Sequence, residues 1–150
     1  MKILSQRDPK WAPDKLGSSQ LTLGKFGCTT TCISMLTDFF GCFQSPLQIA
    51  HNIHNYTKEG LIIWENLKFD KMKFDTRIRW APGENVINNA LRDLNQAIML
   101  EVNNHSHWVL ALRKTLIGKS WIVADPWSGD KCDVLKRYHN ITGAAIFKRK

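Results

Sequence analysis

The chain has 150 residues, 43% of them hydrophobic and 23% charged, with nine Gly, five Pro, six Trp and four Cys. That is enough to bury one ordinary core without a disulfide or metal, and it excludes disorder, collagen and coiled coil. Twenty-one Lys and Arg against thirteen Asp and Glu give +8, a surplus that attracts polyanions. The basic residues are scattered, however, and no RNP, finger or basic-heptad motif accompanies them, so sequence-specific nucleic-acid binding is not expected. No apolar run reaches the roughly 18 residues of a membrane span. Met1–Trp11 also lacks the apolar stretch of about 7–15 residues of a secretory signal. The expectation is a single domain, residues 1–150, made in the cytoplasm.

In chain order, the first 27 residues read as loop, with turn chemistry at Asp8-Pro9, Ala12-Pro13-Asp14, Gly17, Gly24 and Gly27. From Cys28 to Phe40, Cys32, Met35, Leu36, Phe39 and Phe40 recur at helical spacing, and Gly41 stops the helix. Ser45-Pro46 opens a second helix to about Tyr56, as an N-cap followed by Pro at the first helical position. Residues 60–82 fit either a strand over 71–80 or a short helix near Ile63–Leu67. Beyond Pro82-Gly83, Val86, Ile87, Ala90, Leu91 and Leu94 predict an amphipathic helix. Strands follow at Ala97–Val102, His107–Leu112, Ser120–Ala124 and about Ala144–Phe147. Helices first and strands later is an α+β order.

Chemistry concentrates at three places. Gly27-Cys28 delivers a thiol to the first turn of a long helix, where unpaired N–H groups and the helix dipole favour the thiolate and can hold an oxyanion. A buried helix start is the plain reading of the same residues. His107 and Asp125 lie at equal distances on either side of a hairpin centred near Leu116. An unbulged pairing sets them opposite each other on one face with Val109–Val123 and Ala111–Trp121, their Cβ atoms about 4.5–5.5 Å apart. A carboxylate there fixes the imidazole tautomer; the plain reading is an ordinary strand residue and an Asp-Pro turn. Nucleophile, base and orienter together are the geometry of covalent acyl transfer. For a side-chain oxyanion donor, Gln6 and Gln20 both lie upstream of Cys28, and spacing does not choose between them. No CxxC pair is present, and without a secretory signal the four thiols read as free. A metal site joining His105 and His107 to Cys28 or Cys132 is a minor alternative; no metal or other cofactor is expected.

Ser5-Gln6-Arg7-Asp8-Pro9-Lys10-Trp11-Ala12, Leu16-Gly17-Ser18, Thr22-Leu23-Gly24 and Gly27-Cys28-Thr29, then His107-Trp108-Val109-Leu110-Ala111 and Val123-Ala124-Asp125-Pro126-Trp127-Ser128-Gly129, resemble the C39-like cysteine peptidases in the order of their blocks, over about a third of the chain. The resemblance implies a papain-like fold, with an N-terminal Cys-bearing helix packed on a small antiparallel sheet. It implies Cys28 as nucleophile, His107 as base, Asp125 as orienter and Gln6 (alternatively Gln20) at the oxyanion. Gly27, Trp108 and Trp127 are expected in the substrate cleft. The implied activity is hydrolysis of peptide or amide bonds, with peptide stems or cross-bridges of bacterial peptidoglycan as substrate, as in bacteriophage lysis. A leader-peptide protease, or a non-catalytic binding or virion-structural module on the same fold, are the alternatives.

Overall fold

The computed structural model describes residues 1–150. Its centre is a six-stranded antiparallel sheet in the order β1-β6-β2-β3-β4-β5. The strands are β1 (Met72–Ile78), β2 (Gln96–Val102), β3 (His107–Lys114), β4 (Trp121–Asp125), β5 (Asp130–Asp133) and β6 (Ile141–Arg149). The helices are α1 (Leu23–Phe26), α2 (Cys28–Phe39), α3 (Pro46–His51), α4 (Glu84–Arg92) and α5 (Val134–Tyr138). The architecture is α+β, and no helix is long and apolar enough to cross a membrane.

Helices cover both faces of the sheet, which explains why Ala97–Val102 reads as one apolar run rather than an alternation. Met99, Leu110, Ala124, Ala145 and Phe147 pack with Cys32, Ile33, Met35 and Leu36 of α2. Ile98, Leu100, Val109, Val123 and Ile146 pack with Ile87 and Ala90 of α4 and Val134 of α5 on the other side. Along β2, Ala97 and Met99 thus face one core and Ile98, Leu100 and Val102 the other.

α2 is buried on almost every side, not on a single stripe. Three of its small polar residues make that possible by finding partners: Ser34 Oγ donates to Gln44 O at 2.6 Å and Thr37 Oγ1 to Ser34 O at 2.7 Å, while the Thr30 and Tyr56 hydroxyls meet at 2.8 Å. Phe39, expected on the buried face, is exposed, whereas Phe40 is buried. The helix ends as Gly41 takes φ +76°, allowing Cys42 N to donate to Thr37 O at 2.8 Å. Ser45 caps α3 through a reciprocal pair with Gln48. α3 stops at His51, and a 3-10 turn (Ile53–Asn55) takes the place of its expected last turns. Residues 60–82 hold both expected elements, a 3-10 turn at Trp64–Asn66 and then β1. Leu94 lies beyond α4 and is exposed. α1, within the first 27 residues expected as loop, and β5 and α5 have no counterpart in the expected elements.

Candidate active site

Cys28 is the first residue of α2, with Gly27 as the preceding cap residue. Gly27 is there because of a close approach: a Cβ on it would stand 2.4 Å from Leu23 O, in the turn where Gly27 N donates to that carbonyl at 2.7 Å. The first intrahelical bond runs from Thr31 N to Gly27 O at 2.9 Å. The N–H groups of Cys28, Thr29 and Thr30 therefore have no intrahelical acceptor.

His107 begins β3 and Asp125 ends β4. Their register differs from the expected one. Leu110 pairs with Ala124 and Ala111 with Val123, but nearer the turn Arg113 pairs with Ile122 and Lys114 with Trp121, so Leu112 is an extra residue in a β-bulge. The expected pairs Val109–Val123 and Ala111–Trp121 do not form, and His107 is not opposite Asp125. The cause lies in the turn, which closes between Thr115 N and Ser120 O at 3.0 Å and so centres beyond Leu116. Continued unbulged, the turn's register would set Asp125 opposite Leu110, on the other face from His107. The bulge restores the parity, placing His107 one diagonal step from Asp125, a distance long side chains span. His107 Nε2 meets Asp125 Oδ1 at 2.8 Å.

The Asp125 carboxylate is 1% exposed. Its Oδ1 also accepts from Trp127 N at 3.0 Å, while Oδ2 accepts from Arg137 Nη1 at 2.9 Å and from the Tyr138 hydroxyl. Burial alone would raise its pKa, but these donors hold it below the usual carboxylate range. Arg137 and Tyr138 come from α5. The signal for that helix was Asp133 ahead of Val134-Leu135, and its side chain does cap α5, accepting from Leu135 N at 3.1 Å and Lys136 N at 3.2 Å.

With Nε2 on Asp125, the Nδ1 side of His107 remains for Cys28. Burial would discharge the ring, yet the hydrogen bond to Asp125 and the nearby Cys28 sulfur raise its pKa to about 9. For Cys28 burial pushes upward, and the His107 imidazole within reach, helped by the Trp108 amide and Thr29 hydroxyl, brings the thiol below its ordinary value. The other thiols differ: burial raises Cys32 well above its ordinary value and lifts Cys132 to about 11.

A cavity of about 530 Å³ opens beside Cys28, and Gln6, His107, Trp108 and Trp127 line it. Gln6 is 1% exposed. Its backbone N–H donates to Pro126 O at 2.8 Å, tying the N-terminal loop to the Asp125 turn. Its Nε2 donates one hydrogen to Gly24 O at 3.1 Å, and its Oε1 is buried without a partner. Gln20, the alternative, is exposed and takes Lys15 on its side-chain oxygen, away from the cavity. Gly27, expected in the cleft, is buried outside the residues that line it. Trp108 is buried in the wall, while Trp127 is exposed at the rim, with the Arg7 guanidinium 4.7 Å above its ring.

His105 and His107 do not share a ligand. His105 Nδ1 meets Glu101 Oε1 at 2.7 Å, while His107 is held by Asp125. No three His, Cys, Asp or Glu side chains stand together as a metal site would need. The chain matches no family model, no curated protein and no solved structure.

Proposed function

We propose that the chain is a cysteine hydrolase of papain-like architecture that cleaves peptide or amide bonds, as its resemblance to the C39-like peptidases implies. One observation carries the reading. A thiol at the start of a buried helix shares an open cleft with an imidazole within its reach, and a buried carboxylate holds that ring from behind at 2.8 Å.

The steps follow from the positions. His107 takes the Cys28 proton, and the thiolate–imidazolium pair is the resting form near neutral pH. The sulfur attacks the substrate carbonyl, and the oxyanion is met by the Cys28 backbone N–H and the unclaimed Nε2 hydrogen of Gln6. His107 then protonates the departing amine, and water releases the acyl group from Cys28. Asp125 stays ionised throughout, keeping the ring oriented.

For substrate, peptide stems or cross-bridges of the bacterial wall fit best. The wall is anionic, the chain carries +8, and no Asp or Glu lines the cavity. The test is clearing of turbidity in a suspension of purified cell walls. The parent chain clears it, and folded Cys28→Ala and His107→Ala variants do not. Clearing by either variant removes that residue from the scheme, and a parent chain that leaves walls and peptides intact overturns the hydrolase reading.

A further inference from the structure

A second imidazole faces the same cleft and takes no part in the scheme above. His105 sits in the β2–β3 loop, lines the cavity and has a side chain 58% exposed. Its Nδ1 is engaged by Glu101, which leaves Nε2 open.

The support behind His105 is built into the sheet. Glu101 is 6% exposed in an otherwise apolar strand, where a carboxylate needs partners. Arg77 Nη2 donates to its Oε2 at 2.6 Å, and Thr142 Oγ1 donates to Oε1 at 3.3 Å. Arg77 in turn donates to Ala144 O at 3.1 Å and lies 4.5 Å above the Trp108 ring. Space for this cluster exists because residue 143 is Gly, where a Cβ would fall 2.8 Å from both Arg77 Nη1 and Glu101 Oε1.

The loop conformation adds a separate observation. Asn103, Asn104 and His105 take φ of 53°, 54° and 65° in succession. Non-glycine residues occupy that region at a cost, and such conformations persist where surrounding contacts impose them. Here the contacts are the Glu101–His105 bond and the bonds between Asn103 and Ser106, with Asn103 Nδ2 donating to Ser106 Oγ at 2.9 Å and Ser106 N to Asn103 O at 3.3 Å, and the first of them holds the ring at the cavity.

We infer that His105, held by the Glu101–Arg77 pair, is a specificity residue that binds a carboxylate of the substrate close to the scissile amide. Arg77 already balances the charge of Glu101, so a protonated His105 carries an uncompensated positive charge into the cleft. Apart from the Cys28–His107 pair, the other charged side chain of the lining is Lys25, with no Asp or Glu to compete. A ligand carboxylate accepts from Nε2 while Glu101 keeps Nδ1, and both ring nitrogens are then satisfied.

The inference rests on the cleft being the hydrolase site, but its test reads binding. Blocked tetrapeptides that differ only by Glu in place of Gln, one pair with that residue before the central amide and one after, are titrated into the Cys28→Ala chain. In at least one pair the Glu form binds about tenfold more tightly, as a charge-assisted hydrogen bond would give. Adding His105→Ala or His105→Gln reduces that gap to below about twofold while the Gln peptide binds as before. Equal affinity within both pairs overturns the inference, as does a gap that survives loss of His105. Equal weakening of both peptides also overturns it, because the ring would then only be shaping the loop. A gap found with a parent chain that hydrolyses nothing keeps the subsite and removes the catalytic scheme alone.

Discussion

Asp125 holds His107 at 2.8 Å although the two residues are not paired across their hairpin. The Leu112 bulge makes that contact possible, and α5 completes the carboxylate's surroundings from a third element. Orientation of the ring therefore depends on the carboxylate and on what anchors it.

Asp125→Asn is expected to lower kcat about a hundredfold, with KM little changed, because the ring loses its fixed tautomer but the nucleophile remains. Steady-state kinetics on a peptide substrate check this. An unchanged kcat would mean that another group orients His107.

Arg137→Gln acts through Asp125. The carboxylate's depressed pKa contributes stability that is present above the ordinary carboxylate range, near pH 4, and is lost as pH falls through its folded value. Removing the Arg137 guanidinium, 2.9 Å from Oδ2, brings the folded pKa back toward ordinary. The variant is expected to unfold at higher pH on acid titration, read by circular dichroism, with a stability deficit that is full above that range and narrows as pH falls through the folded value. Coincident acid transitions in parent and variant would contradict this coupling.

The pH dependence separates the two partners. His107, raised to about 9 by Asp125 and Cys28 against the effect of burial, is protonated through neutral pH and loses its proton above that value. Hydrolysis falls there, because the departing amine has no acid, while alkylation of Cys28 by iodoacetamide does not fall, because the thiolate persists. On the acid side both fall together as Cys28 takes up its proton. Parallel loss of hydrolysis and alkylation above pH 9 would contradict the assignment.

Gly27→Ala tests the helix entry. The new Cβ would stand 2.4 Å from Leu23 O, so the backbone must shift. A loss of about 1–3 kcal/mol in urea unfolding is expected, together with slower alkylation of Cys28. A variant as stable and as reactive as the parent would show that the turn has slack.

Much of this was legible in the sequence because local rules governed it. α2 followed from its spacing and from Gly41, the start of α3 from the Ser45 cap, and β2, β3, β4 and β6 from their apolar runs. The meeting of His107 and Asp125 was foreseen by a register that does not form. The expected and actual pairings differ by an even step, so the faces agree although the partners do not. The bulge at Leu112 had no local signature, since a bulge is set by the turn and by both cores together. α5 is five residues long, too short for periodicity to show, and Arg137 and Tyr138 went unseen with it. Glu101 is a lone carboxylate in an apolar strand and His105 lies only four residues beyond it, but the partner that balances its charge, Arg77, comes from β1, 24 residues earlier, and no local pattern connects the two.

In the proposed scheme Cys28 is a thiolate kept so by His107. The direct measurement is the rate of iodoacetamide modification of each of the four thiols at neutral pH, resolved by peptide mass spectrometry, in the parent chain and in His107→Ala. Modification of Cys28 ahead of Cys32, Cys42 and Cys132, slowed at least about tenfold in the variant, is the predicted result. A different cysteine reacting first, or a Cys28 rate indifferent to the loss of His107, would contradict it.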